Sequence, residues 1–413
     1  MKRRVVVTGI GVVSPIGIGK ENYWNALRAG TCGIDTITRF DATEFTTQIA
    51  GEVKDFEPAD YINKKEAKRM DRFTQFAVAA AGMALEDSKI DLEKITPERF
   101  GTIIGSGVGG IETLETQHSK LEEKGPSKVS PFLIPMMILN MATGHVSMAY
   151  NAKGPNSSVC TACASSTNAI GDAFKVIQRG DADLMFAGGA EASITPLGMA
   201  GFCTMKALST RNDDPKTASR PFDVDRDGFV MGEGSGVLIL EELEHALARN
   251  ATIYGEIAGF GSSADAYHIT SPAPNGEGAT RSMRMAINDA GIQAEEVQYI
   301  NAHGTSTPYN DKFETMAIKT LMGDAAKNVM VSSTKSMTGH LLGSSGAVEA
   351  IAVMLALKEG FVHGTMGMHN QDPECDLNVL PNKGVEADVK YALSNSLGFG
   401  GHNATLCFKK FEK

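Results

Sequence analysis

Short runs of β-branched and apolar residues alternate with longer stretches of helical period along this chain. Val5-Val6-Val7-Thr8-Gly9 predicts an opening strand. Residues 74 to 88 then set Phe76, Val78, Ala79, Met83 and Leu85 at helical spacing, and a strand is expected at 101 to 105. The same order returns later. Ile253 to Gly259 is a counterpart of the opening strand, Met283, Met285, Ala286 and Ile287 mark a helix over 278 to 291, and a strand follows at 297 to 301. Setting Cys163 against Gly343, 180 positions on, lays Ala164-Ser165-Ser166 over Ser344-Ser345-Gly346. The helical patterns that follow both stop at a glycine, Gly180 and Gly360, as helices commonly do.

This repetition predicts an internally duplicated α/β fold of two similar halves, 1–250 and 251–413, with helices layered on mixed, mostly parallel sheets. Catalytic loops would then gather at strand ends. The stretch from about 105 to 160 is an insertion relative to the second half. Its Pro131-Phe132-Leu133-Ile134-Pro135-Met136-Met137-Ile138 is apolar and methionine-rich, which suits a core, a subunit interface or a fatty ligand, core packing being the commonest use.

With 413 residues, 42% of them hydrophobic, and no apolar run near the roughly 18 residues of a membrane span, the chain reads as a soluble globular protein. Met1-Lys2-Arg3-Arg4 leads straight into a strand and is too short for a targeting segment, so a cytoplasmic location is expected. A net charge of -10 argues against general nucleic-acid binding but leaves room for a local basic patch. Lys65, Lys68, Arg69 and Arg72 form one, sharing a helical face by their spacing. It is either an ordinary solvated face or a docking surface for an acidic partner.

Six scattered cysteines are expected to be reduced. Cys160-Thr161-Ala162-Cys163 is formally a C-x-x-C, yet no second such pair exists to complete a zinc site. Cys163 stands where a strand-like run gives way to small residues and then to a helical pattern. At a helix N-terminus the dipole and unpaired N–H groups favour a thiolate and can receive an oxyanion. His303, in Asn301-Ala302-His303-Gly304-Thr305-Ser306-Thr307, and His340, in Lys335-Ser336-Met337-Thr338-Gly339-His340, occupy similar Gly- and Thr-rich turns. One cysteine with two loop-borne histidines points to acyl transfer. A redox dithiol would leave those histidines unexplained. His118, His245 and His363 lie in polar stretches and read as surface residues. Gly105-Ser106-Gly107-Val108-Gly109-Gly110 lacks the Lys-Ser/Thr of a nucleotide loop.

Thr161-Ala162-Cys163, Asp227-Gly228-Phe229-Val230, the two histidine motifs and Gly398-Phe399-Gly400-Gly401 together resemble the β-ketoacyl-acyl carrier protein synthases, over essentially the whole chain. Ala207-Leu208-Ser209-Thr210-Arg211-Asn212-Asp213 and Asp265-Ala266-Tyr267-His268-Ile269-Thr270-Ser271-Pro272 are similar to the elongating branch of bacterial fatty-acid synthesis. The resemblance implies a duplicated thiolase-like fold, a homodimer and a decarboxylative Claisen condensation. Cys163 would carry the acyl group, and His303 and His340 would hold the malonyl thioester oxygen as it becomes an enolate. Lys335 would tune the histidines, and the N–H groups of Cys163 and Phe399 would form the oxyanion hole.

By the same resemblance Val108 and Leu397 line an acyl pocket gated by Phe399, and Thr270, Thr305 and Thr307 bind the phosphopantetheine that carries the substrates. Lys65, Lys68, Arg69 and Lys206 would dock acyl carrier protein. No cofactor is required, and a monovalent cation is implied near Asn301, Glu349, Ser394 and Asn395. Two positions depart from the pattern: Leu397 stands where Phe is usual and His402 where Thr is usual. They bear on chain-length preference and on a titrating group near the site. Thiolases use a second cysteine in the C-terminal loop, which Gly398 to His402 lacks, and the Cys-His-Asn of the initiating synthase is excluded by His340. A non-catalytic chain-length partner would have lost Cys163. A polyketide synthase is the remaining alternative, separable by its products.

Overall fold

The computed structural model describes residues 2–412. Ten strands build the main sheet: β1 (Val5–Ser14), β2 (Phe100–Gly105), β3 (Asn156–Val159), β4 (Leu184–Glu191), β5 (Gly234–Glu242), β6 (Gly255–Ala264), β7 (Tyr299–Asn301), β8 (Met330–Ser332), β9 (Tyr391–Gly398) and β10 (His402–Lys409). Their spatial order is β8-β7-β9-β10-β6-β1-β5-β4-β2-β3, with a short Gly17–Ile18 strand paired onto β1. From the middle outward each half therefore lays down its first, fifth, fourth, second and third strand. That identity of order is the duplication.

The sheet is evenly mixed rather than mostly parallel. In each half the outer three strands pair parallel, while the first, fifth and fourth pair antiparallel. The halves meet in a further antiparallel pair, Val5 to Val7 against Ile257 to Gly255. For β9 and β10 the cause is connection length: the chain turns between them through three residues, enough for a hairpin but far too few for the crossover a parallel pair needs.

Of the helices α1 (Arg72–Ser88), α2 (Ile111–Lys124), α3 (Ser165–Arg179), α4 (Glu277–Ala290), α5 (Pro308–Met322) and α6 (Ser345–Glu359), all but α2 sort into layers on the sheet. The bounds of α3 and α6 differ by the 180 positions read from the sequence, and both helices end on a left-handed glycine, Gly180 at φ 86° and Gly360 at φ 69°. These two form the middle layer. Ala169, Ile170, Ala173 and Phe174 of α3 share one apolar core with Val348, Ile351 and Leu355 of α6 and with Val5, Leu240, Leu406 and Phe408 of the strands. An unbroken buried run from Ser345 to Leu357 is what a helix sandwiched on all sides requires. Outside, α1 covers the first half through Phe73, Phe76 and Ala80, and α4 and α5 cover the second through Met283, Ile287 and Ile318.

Three local expectations change. The methionine-rich segment 131–138 of the insertion packs no core, with Phe132, Ile134 (57%) and Ile138 exposed, and Met148 is exposed at 65% on a helix whose Ala142 and Val146 do join the core. The basic run is not one helix either, because a four-residue helix, Lys64–Ala67, stops before Asp71, whose side chain caps α1 by accepting the Phe73 N–H. Arg72 is thereby turned inward onto Glu233 with two hydrogen bonds of 3.0 and 2.8 Å and over the Phe76 ring, leaving Lys65, Lys68 and Arg69 exposed. His363 is fully buried rather than superficial, with the Thr334 hydroxyl at 3.0 Å and the Gly364 carbonyl at 3.0 Å. His118 is exposed and His245 half-buried against Glu241, closer to expectation. Among the described residues no helix is long and apolar enough to cross a membrane.

Candidate active site

Small residues between β3 and α3 let the chain turn sharply. Ala162 has φ 49°, a left-handed conformation that costs a side-chain-bearing residue of order 1–3 kcal/mol and persists only where its neighbours enforce it. Here Ser165 does so: its Oγ donates to the Ala162 carbonyl at 2.7 Å and accepts the Thr161 N–H at 2.9 Å. Asn168 on α3 adds a bond to the Thr161 hydroxyl at 2.7 Å. Gly398 closes the other side, where an added Cβ would lie 2.7 Å from the Thr161 carbonyl oxygen. Cys163 is thus held one residue before the N-cap Ala164, its own N–H and that of Phe399 directed at its sulfur.

Cys163 is only 7% exposed and shares an apolar cluster with Leu208, Phe229, Met231 and Leu342. Burial pushes its thiol up to about 11, against the charge of Lys335 and the two N–H groups. The helix start does not by itself yield a resting thiolate. The expected donors are present, but desolvation outweighs them. Cys160 is exposed and, like the other five cysteines, free.

Both histidines follow elements of the second half. His303 leaves β7 in a turn fixed by Glu314 of α5, which accepts the N–H groups of His303 at 2.8 Å and Gly304 at 2.9 Å. His340 follows a short helix, Lys335–Thr338, and donates its N–H to the Val230 carbonyl at 2.7 Å. The two rings stand edge to face, 5.3 Å between centroids. Lys335 lies behind them, fully buried, with Nζ 3.3 Å from His303 Nδ1 and 2.5 Å from Glu349 Oε1. An ammonium only donates, so Nδ1 of His303 accepts and Nε2 carries the proton. His340 Nδ1 sits 2.8 Å from the Ser345 hydroxyl, which as donor leaves the same tautomer. Burial first and the Lys335 charge second hold both imidazoles well below the ordinary histidine range. They are neutral N–H donors at pH 7. Burial also pushes the Glu314 carboxyl up, to about 7.

A cavity of about 560 Å³ brings together Cys163, His303, His340, Phe399, Val108 and Leu397, and its wall continues through Thr270, Thr305, Thr307 and Lys206. The Thr305 and Thr307 hydroxyls are 2.9 Å apart. Phe399 stands near Phe202, with ring centroids 6.4 Å apart, on a loop whose Gly400 (φ 82°) and Gly401 (φ 74°) are left-handed. Lys65, Lys68 and Arg69 are outside the cavity wall. His402 is half-buried at the start of β10 and does not line the cavity.

Asn301 and Ser394 are paired in register on β7 and β9. Asn301 Oδ1, Glu349 Oε2 and Ser394 Oγ are buried without a hydrogen-bond partner. The Asn395 side chain faces away, accepting from Thr405 and donating to Glu314. It therefore cannot join the other three through its side chain. Glu314 and Glu191, both fully buried, were not anticipated, since a carboxylate bound mainly by backbone N–H groups leaves no motif.

A duplicated sheet with a buried cysteine on a strained turn in one half and paired neutral imidazoles in the other is the architecture of a condensing acyltransferase. The chain matches the Beta-ketoacyl synthase, N-terminal domain over residues 2–246 and the Beta-ketoacyl synthase, C-terminal domain over residues 254–369. It belongs to the β-ketoacyl synthase family. It is 56% identical over 411 residues to the 3-oxoacyl-[acyl-carrier-protein] synthase 2 of Synechocystis sp., covering 100% of this chain and 99% of the relative. With the protein of that name from Staphylococcus aureus it shares 56% over 410 residues, 99% of each chain. Among solved structures, the ishigamide ketosynthase/chain length factor matches with a TM-score of 0.94 and 37% identity over the full length of both chains. A type II polyketide ketosynthase in complex with its acyl-carrier protein matches at 0.93 and 35%, again over the full length of both.

Proposed function

We propose that this chain elongates acyl chains in fatty-acid synthesis by condensing acyl-acyl carrier protein with malonyl-acyl carrier protein to 3-oxoacyl-acyl carrier protein, carbon dioxide and free carrier. The observation that carries the reading is the pair of neutral, tautomer-fixed imidazoles facing a buried thiol across one cavity. Cys163 takes the acyl group, its proton leaving on the carrier's thiol, while the N–H groups of Cys163 and Phe399 receive the carbonyl oxygen. The Nε2–H groups of His303 and His340 then hold the malonyl thioester oxygen. Carbon dioxide departs, the enolate carbon attacks the acyl carbonyl, and the Cys163 sulfur is expelled as a thiolate that takes a proton from water to restore the resting thiol. Incubation with acyl-carrier and malonyl-carrier of varied chain length, read by mass, tests this. A two-carbon-extended 3-oxo product is expected, and repeated unreduced extension would favour the polyketide reading suggested by the solved relatives.

No cofactor takes part beyond the substrates' phosphopantetheine, whose amides Thr270, Thr305 and Thr307 would bind. The three unpartnered oxygens of Asn301, Glu349 and Ser394 fit a monovalent cation. When bound it would supply positive charge that keeps Glu349 ionised beside Lys335. Phe399, between glycines, would gate the acyl pocket beside Leu397. Val108→Phe is expected to cut turnover of long acyl groups while sparing short ones, measured as kcat/KM against chain length. An unchanged profile would move the pocket elsewhere.

Acyl carrier protein is acidic, and the exposed Lys65, Lys68 and Arg69, with Lys206 at the cavity mouth, suit its docking. Reversing Lys65 and Lys68 to Glu should raise KM for carrier substrates, less so at high salt, and leave small acyl-thioester mimics near wild type. Equal losses on both substrates would show a role in folding instead. A homodimer is supported by the open edge of β3 beside the exposed Phe132, Ile134, Ile138 and Met148. The enzyme would work in the cytoplasm with its soluble carrier.

A further inference from the structure

Glu191 ends β4, and none of the steps above uses it. Its side chain is fully buried, and its two oxygens collect five donors. Oε2 accepts the N–H groups of Gly107 at 2.7 Å and Gly343 at 2.9 Å. Oε1 accepts the N–H groups of Val108 at 3.1 Å and Gly109 at 3.3 Å and the Ser106 hydroxyl at 3.0 Å. One anion thus binds two loops from opposite halves of the chain. The first carries Val108 and the second Leu342, and both side chains line the cavity around Cys163. The backbones are in near contact, since a Cβ on Gly343 would lie 2.2 Å from the Gly107 nitrogen.

Burying an isolated carboxylate costs several kcal/mol, so it persists only where charge-assisted hydrogen bonds offset the loss of water. Only a carboxylate can serve here. Glutamine would turn an NH₂ group toward donors that have nothing to give it.

We propose that Glu191 is a positioning residue that determines chain length: by tying the Ser106–Gly109 loop and the Leu342–Gly343 turn to one anion, it sets the gap between Val108 and Leu342 through which an acyl chain leaves Cys163. The inference rests on the assignment of Val108 to the acyl pocket. It differs from an ordinary structural role because the anion also lies near enough to Cys163 to raise its thiol. Loss of the charge should therefore be felt at the sulfur as well as in the pocket.

The test measures kcat/KM against acyl length, malonyl decarboxylation without acyl primer, and the pH profile of Cys163 alkylation, in Glu191→Gln, Glu191→Asp and Ser106→Ala. Glu191→Gln should lose roughly tenfold or more in kcat/KM for long acyl groups relative to short ones, the scale set by a few misplaced methylene contacts. Its alkylation profile should move to lower pH, and primer-independent decarboxylation should stay near wild type. Glu191→Asp should restore part of the long-chain preference, and Ser106→Ala, which removes one donor of five, should shift the preference the same way by less. Equal losses at every chain length with an unmoved alkylation profile, or an unaltered chain-length profile, would overturn the proposal. If Glu191→Gln fails to unfold cooperatively, the chain-length profiles of Glu191→Asp and Ser106→Ala decide by the same criteria. Val108→Phe in parallel separates the two ideas: no change there would remove the pocket assignment itself, whatever Glu191 does.

Discussion

Cys163→Ala should abolish condensation, by a factor on the order of 10⁶ as for removal of other covalent nucleophiles, and leave no acyl adduct when the protein is weighed intact after acyl-carrier treatment. Cys160→Ala should retain most activity and the adduct. The two cysteines are only three positions apart, but the chain treats them differently. Cys160 is exposed, with only the Gly107 carbonyl at 3.6 Å as partner, whereas Cys163 follows the strained Ala162 and receives two N–H groups. Those N–H groups fit both a thiolate and the oxyanion that succeeds it. Because burial holds the free thiol at about 11, alkylation of Cys163 by a small reagent should be slow at pH 7 and rise steeply toward alkaline pH. An adduct on Cys160, or turnover without Cys163, would refute the assignment.

His303→Ala and His340→Ala should each slow malonyl decarboxylation by about 10²- to 10³-fold, or about 2.7–4 kcal/mol of barrier, the usual cost of losing one donor to a developing oxyanion. Transfer of the acyl group to Cys163 should be much less affected, because its oxyanion donors are backbone groups. The asymmetry follows from the tautomers. Lys335 and Ser345 occupy the Nδ1 atoms, so each imidazole has a single free proton to offer at Nε2. Since both groups titrate well below the ordinary range, neither should gain charge near pH 7, and decarboxylation should show no histidine inflection there. Parallel loss of acylation in both variants would mean that the histidines serve the thiol instead.

The duplication and the chemistry were legible in the sequence for one reason: both are carried by local patterns. The 180-residue offset, the glycine stops and the small-residue turn around Cys163 are each decided by neighbours in the chain. What was not legible depends on distant partners. Strand direction is decided between elements far apart in the chain, as in the antiparallel pairing of β1 with β5 and of β6 with β10 in the middle of the sheet. The helical face expected from Lys65 to Arg72 fails because Asp71 caps a new helix and Glu233, far along the chain, draws Arg72 inward. Glu191 and Glu314 are bound mainly by backbone N–H groups, so no side-chain pattern announces them. The thiol's resistance to ionisation comes from the apolar cluster around it rather than from the helix beneath it.

The repeat also fixes a stoichiometry. The position related to Cys163 by the 180-residue offset is Gly343, and its seat is already filled by main chain: its N–H is taken by Glu191, and any Cβ there would collide with the Gly107 nitrogen at 2.2 Å. A second acceptor cannot be accommodated at the mirrored place. With Cys163 as the acceptor, two copies of one architecture would hold a single acyl group per chain, and the growing product would have one point of attachment from which to leave.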